Sequence, residues 1–156
     1  MQLNVSEGGE LLTNEVEILL VEDNPNDVKL TIRALKKNNF SNKIHVVIDG
    51  EEALNFIYAR NKYSDRSIND VPKVILLDLK LPKVDGLEVL KEIKNDERTK
   101  KIPVIILTSS REESDIIKSY QLGANSYIVK PVDFEKFVSA IADIGMYWLL
   151  LNEMPK

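Results

Sequence analysis

Val16-Glu17-Ile18-Leu19-Leu20-Val21-Glu22-Asp23 is a short apolar run that ends on two adjacent carboxylates, and three later runs share its build. Val74 to Leu77 leads into Asp78, Val104 to Leu107 into Thr108-Ser109-Ser110, and Tyr127 to Val129 into Lys130-Pro131. In an open parallel sheet the C-terminal strand ends form one edge, where loops project and ligands bind. Read as such strands, the runs bring Glu22, Asp23, Asp78, Thr108 and Lys130 to that edge. The convergence predicts one acidic, metal-binding, phosphoryl-accepting site.

Outward from these runs, strand and helix signals alternate. Residues 1–14 hold Gly8-Gly9 and no amphipathic pattern, and read as a loose tail. Asn24 is placed to cap a helix that begins at Pro25, carries Asp27 in its first turn, buries Val28, Ile32 and Leu35, and ends near Asn38-Asn39. Lys43 to Ile48 reads as the second strand. Asp49-Gly50-Glu51-Glu52 resembles a capping box and opens a helix to about Arg60. Asn61 to Val71 is a polar connection, long for such a unit. Pro82 and Gly86 punctuate the loop before a helix that runs to about Glu97, and Ser110-x-x-Glu113 is a second capping box, opening a helix that stops at Gly123. Asp133 starts the last helix. Five strands alternating with five helices predict an α/β fold with a doubly wound parallel sheet. The expected domain covers residues 15–152, with a second short tail at 153–156.

Composition narrows the function classes. The 156 residues, 44% of them hydrophobic, suffice for one full core and leave no room for a second substantial domain, so a stand-alone unit is expected. Cys is absent, which excludes disulfides and thiolate chemistry and makes the cytoplasm the natural compartment. The first residues lack the basic and apolar regions of a signal peptide, and Met146 to Leu151 is too short to cross a bilayer. A net charge of -4 argues against binding nucleic acid through a general basic surface.

Each residue at the predicted edge has a chemical use. Glu22, Asp23 and Asp78 held close together repel, so they either raise a pKa or bind a divalent cation. An all-oxygen set suits Mg2+, which takes one or two carboxylates and shares a phosphate oxygen. The Asp78 carboxylate is positioned to attack a phosphoryl donor and form an acyl phosphate. Lys130 supplies a cation for the carboxylate or the phosphoryl group, Thr108 a hydroxyl, and the small Ser109 leaves space for entry. His45, the only histidine, sits in a strand and reads as core or edge filler, and Lys91 to Lys101 reads as a solvated helix face and turn.

Taken together, Ile18-Leu19-Leu20-Val21-Glu22-Asp23, Leu76-Leu77-Asp78-Leu79-Lys80-Leu81-Pro82 with Asp85-Gly86, Ile106-Leu107-Thr108 and Gly123-Ala124-Asn125-Ser126-Tyr127-Ile128-Val129-Lys130-Pro131 resemble the receiver domain of two-component response regulators. The resemblance spans nearly all of residues 16–145 and implies the flavodoxin-like receiver fold. It implies Asp78 as phosphoacceptor, Glu22 and Asp23 as metal ligands with Lys80 contributing only its backbone carbonyl, and Lys130 as the phosphate-contacting lysine. It further implies Thr108 as a hydroxyl switch, Tyr127 as an aromatic that changes rotamer, a cis Lys130-Pro131 bond, and a sensor histidine kinase as partner. Glu22-Asp23-Asn24-Pro25-Asn26-Asp27, the long polar connection and the tail Ile144 to Leu151 followed by Pro155 are similar to the single-domain phytochrome-type regulators, which makes a phytochrome-like kinase one candidate.

The last helix adds an assembly expectation. At 100° per residue, Phe134, Phe137, Val138, Ile141, Ile144 and Trp148 form the core stripe, while Met146, Tyr147, Leu150 and Met154 fall opposite. An apolar second face needs a cover, and a homodimer through Met146, Tyr147 and Leu150 is the preferred one. Two other functions use the same residues: a receiver-fold docking module without phosphorylation, and a metal-dependent phosphatase with an aspartate nucleophile. The complete acidic set with Lys130 disfavours the first. Lys80, where the second class needs an acid, disfavours the other.

Overall fold

The apolar runs form the strands: the first two are shorter than their sequence pattern, the third matches it, and the last two are each one residue longer. The computed structural model describes residues 16–39, 43–130 and 133–145. Strand β1 is Ile18–Val21, β2 Ile44–Val47, β3 Val74–Leu77, β4 Val104–Thr108 and β5 Ser126–Val129. Helices α1 (Pro25–Lys37), α2 (Gly50–Ile57), α3 (Gly86–Asn95), α4 (Glu113–Gln121) and α5 (Phe134–Gly145) alternate with them. The strands pair in parallel in the order β2-β1-β3-β4-β5, so the predicted doubly wound sheet is the fold observed.

Alternation along each buried strand divides the core into two layers. Leu19, Val21, Ile75, Leu77, Val104 and Ile106 pack with Phe56, Ile57, Val89, Leu90 and Ile93 of α2 and α3. Ile18, Leu20, Val74, Leu76, Ile105 and Leu107 pack on the other face with Ala34 and Leu35 of α1 and Phe137 and Ile141 of α5. Each large apolar side chain buried this way contributes about 1.5–3 kcal/mol. The predicted stripe of α5 is present as far as it is described: Phe137 and Ile141 are buried, with Phe134 and Val138 partly so. Leu35 of α1 is likewise buried, whereas Val28 and Ile32 are only partly covered.

Local signals held where the side chain had a nearby backbone donor. Asn24 accepts from the amides of Asn26 and Asp27 and caps α1 at Pro25. Asp49 accepts from the Glu52 amide at 2.7 Å, and Glu52 reaches back to the Ile48 amide at 3.0 Å. Three expectations need correction. Helix α2 stops at Ile57 instead of Arg60, because the right-handed helical backbone is broken at Ala59 and Asn61, both with positive φ. Ser110 caps no helix, since α4 starts at Glu113 with Glu112 at its cap, and the Ser110 hydroxyl donates to Asp115 at 2.6 Å. Lys94, inside the charged run, is not simply solvated: its ammonium donates to the carbonyls of Lys100 and Ile102 and to Asn125 Oδ1 at 3.1, 2.7 and 3.2 Å.

The polar connection after α2 includes a 3-10 turn at Asn61–Tyr63. Tyr63 packs edge-on to His45 and Phe56, and its hydroxyl lies 3.1 Å from His45 Nε2. His45 is stacked on Phe56, and burial pushes its pKa down to about 4, so it is a neutral core residue as expected. Among the described residues no helix is long and apolar enough to cross a membrane.

Candidate functional site

Hydrogen bonding between strands continues one residue past their ends and fixes the site residues there. The amide of Glu22 donates to the Val47 carbonyl at 3.0 Å, that of Asp78 to Val21 at 3.1 Å, and that of Lys130 to Thr108 at 2.8 Å. Glu22, Asp78 and Thr108 are therefore buried at the strand edge, with 2%, 6% and 0% of their surface exposed, while Asp23 and Ser109 face solvent.

Glu22, Asp23 and Asp78 each present a carboxylate oxygen within 4.8 Å of the others. Such an all-oxygen set, with one exposed member at its mouth, has the donor chemistry of a hard divalent cation. Beside it the Lys130 ammonium donates to Glu22 Oε1, to Asp27 Oδ2 at 2.9 Å and to Asp78 Oδ2 at 3.2 Å. The second Glu22 oxygen accepts from the Asn24 amide at 3.2 Å. Burial pushes the Glu22 carboxyl up to about 7 and the Asp78 charge adds to this, while Lys130 works against both. Burial also works to lower Lys130, but its bonds to Glu22 and Asp27 outweigh that and hold it above the ordinary lysine range.

The loop after Asp78 is confined by backbone contact. A Cβ on Gly86 would lie 2.6 Å from Leu79 Cα and closer still to the Asp78 carbonyl oxygen, and the Gly86 amide donates to the Leu79 carbonyl at 3.0 Å. Asp85 caps α3 through the Glu88 amide at 3.1 Å, so the helix start is pressed against the Asp78 backbone. Lys80 is exposed, as expected for its side chain, and its amide lies 3.4 Å from Asp78 Oδ1. An open groove lined by Asp23, Lys80, Leu81, Pro82, Asp85 and Asp115 adjoins the acidic cluster at Asp23.

On the β4 side, Thr108 Oγ1 accepts from the Ser110 amide at 3.4 Å, and the half-buried Tyr127 donates its hydroxyl to the Ser110 carbonyl at 3.0 Å. With the Ser110 hydroxyl on Asp115, these bonds join Thr108, β5 and the first turn of α4 through one loop residue. The structure thus gathers Glu22, Asp23, Asp78 and Lys130 into one cluster, with Thr108 at the neighbouring strand end and Tyr127 bound to the loop that follows it. It adds Asp27, which the sequence marked only as a helix-start acid. Met146, Tyr147 and Leu150 and the Lys130-Pro131 bond lie outside the described residues.

Residues 18–142 match the response regulator receiver domain. The chain is 40% identical to the probable methanogenesis regulatory protein FilR2 of Methanothrix harundinacea over 138 residues, covering 88% of this chain and 86% of that one. The phosphorylated cyanobacterial phytochrome response regulator RcpA superposes with a TM-score of 0.82 at 39% identity, over 91% of this chain and 99% of that one. The Mn2+-bound form of response regulator Rcp1, a Synechocystis protein, superposes with a TM-score of 0.80 at 37% identity over 89% of this chain and 98% of that one. The family match over residues 18–142 and these likenesses show that the chain belongs to the response regulator receiver domain family, and its relatives include phytochrome response regulators of cyanobacteria.

Proposed function

We propose that this receiver works as a phosphorylation switch in the cytoplasm, taking a phosphoryl group on Asp78 from the phosphohistidine of a sensor kinase and passing its state on by protein contact. The observation that carries this reading is the Lys130 ammonium 3.2 Å from Asp78 Oδ2, at the rim of a carboxylate cluster that includes Asp78 itself. An Asp78 oxygen attacks phosphorus, the bond from phosphorus to the donor's imidazole nitrogen breaks, and the electron pair leaves with that nitrogen. Asp78 then carries an acyl phosphate.

Glu22, Asp23 and Asp78, with the backbone carbonyl of Lys80, are the groups that would hold Mg2+, which supplies charge neutralisation for the phosphoryl oxygens when bound. Lys130 pairs with the transferred group and Thr108 offers its hydroxyl to it. A Thr108 hydroxyl drawn toward a phosphoryl group disturbs the bond it accepts from the Ser110 amide, and Ser110 is the residue to which Tyr127 and Asp115 are bound. That linkage gives the loop and α4 a reason to respond. The names of RcpA and its relatives favour a phytochrome-type kinase as partner. A homodimer through Met146, Tyr147 and Leu150 belongs to the same reading on sequence grounds, and sedimentation as a monomer at micromolar concentration would remove it.

Acetyl phosphate with Mg2+ tests the central step. Intact-mass measurement should show one added phosphoryl group on the parent, none on Asp78→Asn, and none on the parent after metal is chelated. Equal labelling of Asp78→Asn overturns the assignment.

A further inference from the structure

We propose that Asp27 is a positioning residue that holds the Lys130 ammonium when a divalent cation occupies the neighbouring carboxylates. The proposal rests on the reading of Asp78 and its acidic neighbours given above. An ammonium has three N–H donors, and in this structure they are taken by Glu22, Asp27 and Asp78. Glu22 and Asp78 belong to the cluster whose oxygens converge with those of Asp23, whereas Asp27 is not one of that set. A cation bound there draws on two of the carboxylates that Lys130 now uses, and its charge repels the ammonium. Of the three partners only Asp27 remains free to keep the lysine.

The fold gives Asp27 the fixed position such a role needs. It lies in the first turn of α1, where its amide is bound by the Asn24 cap at 3.1 Å and its carbonyl accepts from the Thr31 hydroxyl at 2.8 Å. Its carboxylate is one-third exposed and so borders solvent, while Lys130, only 12% exposed, stays close to the strand edge. Retained there, the ammonium leaves the metal oxygens without leaving the site, and is at hand for the incoming phosphoryl oxygens. Without Asp27 it has only Glu22 and Asp78 to pair with, and competes directly with the cation.

The test is calorimetric Mg2+ binding, which needs no phosphorylation, on the parent and on Asp27→Asn, each with Lys130 present and with Lys130→Met. Coupling through the lysine predicts that Asp27→Asn weakens Mg2+ binding by roughly fivefold or more when Lys130 is present, and by less than about twofold in the Lys130→Met background. Asp27→Glu, which keeps the charge on a longer arm, should recover most of the loss. Thermal melts of each variant establish that the folded form is being titrated. An equal effect of Asp27→Asn in both backgrounds means that Asp27 acts only as one more negative charge, and overturns the proposal while leaving phosphoryl transfer to Asp78 intact. Failure of the parent to bind Mg2+ at all overturns both.

Discussion

Replacing Lys130 with Met removes the one cation shared by Glu22, Asp27 and Asp78 and keeps most of its apolar bulk. Taking one partner from a buried charge cluster costs about 3–5 kcal/mol, and the low end applies here because Glu22 can take up a proton. The Glu22 carboxyl titrates at about 7 in the folded parent, above its ordinary 4.5, with the lysine holding it down from a higher value. A folded-state pKa raised in this way means the folded form binds more protons than the unfolded one, so stability falls as pH rises through the window. In the parent the loss levels off near neutrality as Glu22 ionises. The variant's Glu22 keeps its proton further up the scale and its loss continues. Between about pH 6 and about pH 8 the variant should therefore lose about 1.4 kcal/mol more than the parent, one proton held over roughly one further pH unit. Urea unfolding without metal, at both pH values, measures this difference. Added Mg2+ should narrow the gap by neutralising the same carboxylates in the folded state alone. A gap that shrinks with rising pH, or a variant as stable as the parent at both values, would refute the electrostatic reasoning.

Two further perturbations follow from packing. Gly86→Ala pushes a methyl group into the backbone at Asp78 and Leu79 and should cost at least about 1–3 kcal/mol in urea unfolding, with slower acetyl phosphate labelling of Asp78 at full folding. Undiminished stability and labelling would mean that α3 shifts freely. His45 has its pKa lowered from 6.5 to about 4 by burial, so the unfolded chain takes up the proton first and stability is lost as pH falls through that interval. His45→Phe should remove about 2 kcal/mol of the loss between about pH 7 and about pH 5, beyond a constant offset from the Tyr63 hydroxyl; parallel stability curves for parent and variant would count against it.

The sheet was legible because its signal is local and repeated. Buried parallel strands need apolar side chains on both faces, so Ile18 to Val21 and Val74 to Leu77 read as continuous apolar runs, and their ends lie where polar residues begin. Caps such as Asn24 and Asp49 were equally plain, since each bonds an amide two or three residues ahead. The end of α2 was not, because helix-period residues continue past Ile57 and only the tertiary setting of the following connection turns Ala59 and Asn61 into the left-handed region.

The acids and lysine of the site could be found from strand ends, but the partner that lies off the strand edge could not. Asp27 and Lys130 are 103 positions apart, and the helix-start rule that explains an acid at Asp27 is complete without any mention of Lys130. Ser110 shows the same blindness in reverse: its spacing to Glu113 satisfies the capping-box pattern, yet its hydroxyl turns to Asp115 while its carbonyl receives Tyr127. Lys94 is hidden inside a charged run, although its ammonium donates to two carbonyls and to Asn125 across the α3–β4 and α4–β5 connections. In each case a local rule accounts for the residue type, so nothing in the pattern signals that a second, long-range partner exists. The extra partner matters because it joins elements: Asp27 ties the start of α1 to the end of β5, and Ser110 ties β5 to α4. A charge placed on Asp78 would therefore act on bonds whose other ends lie on separate helices, which is the arrangement a switch requires.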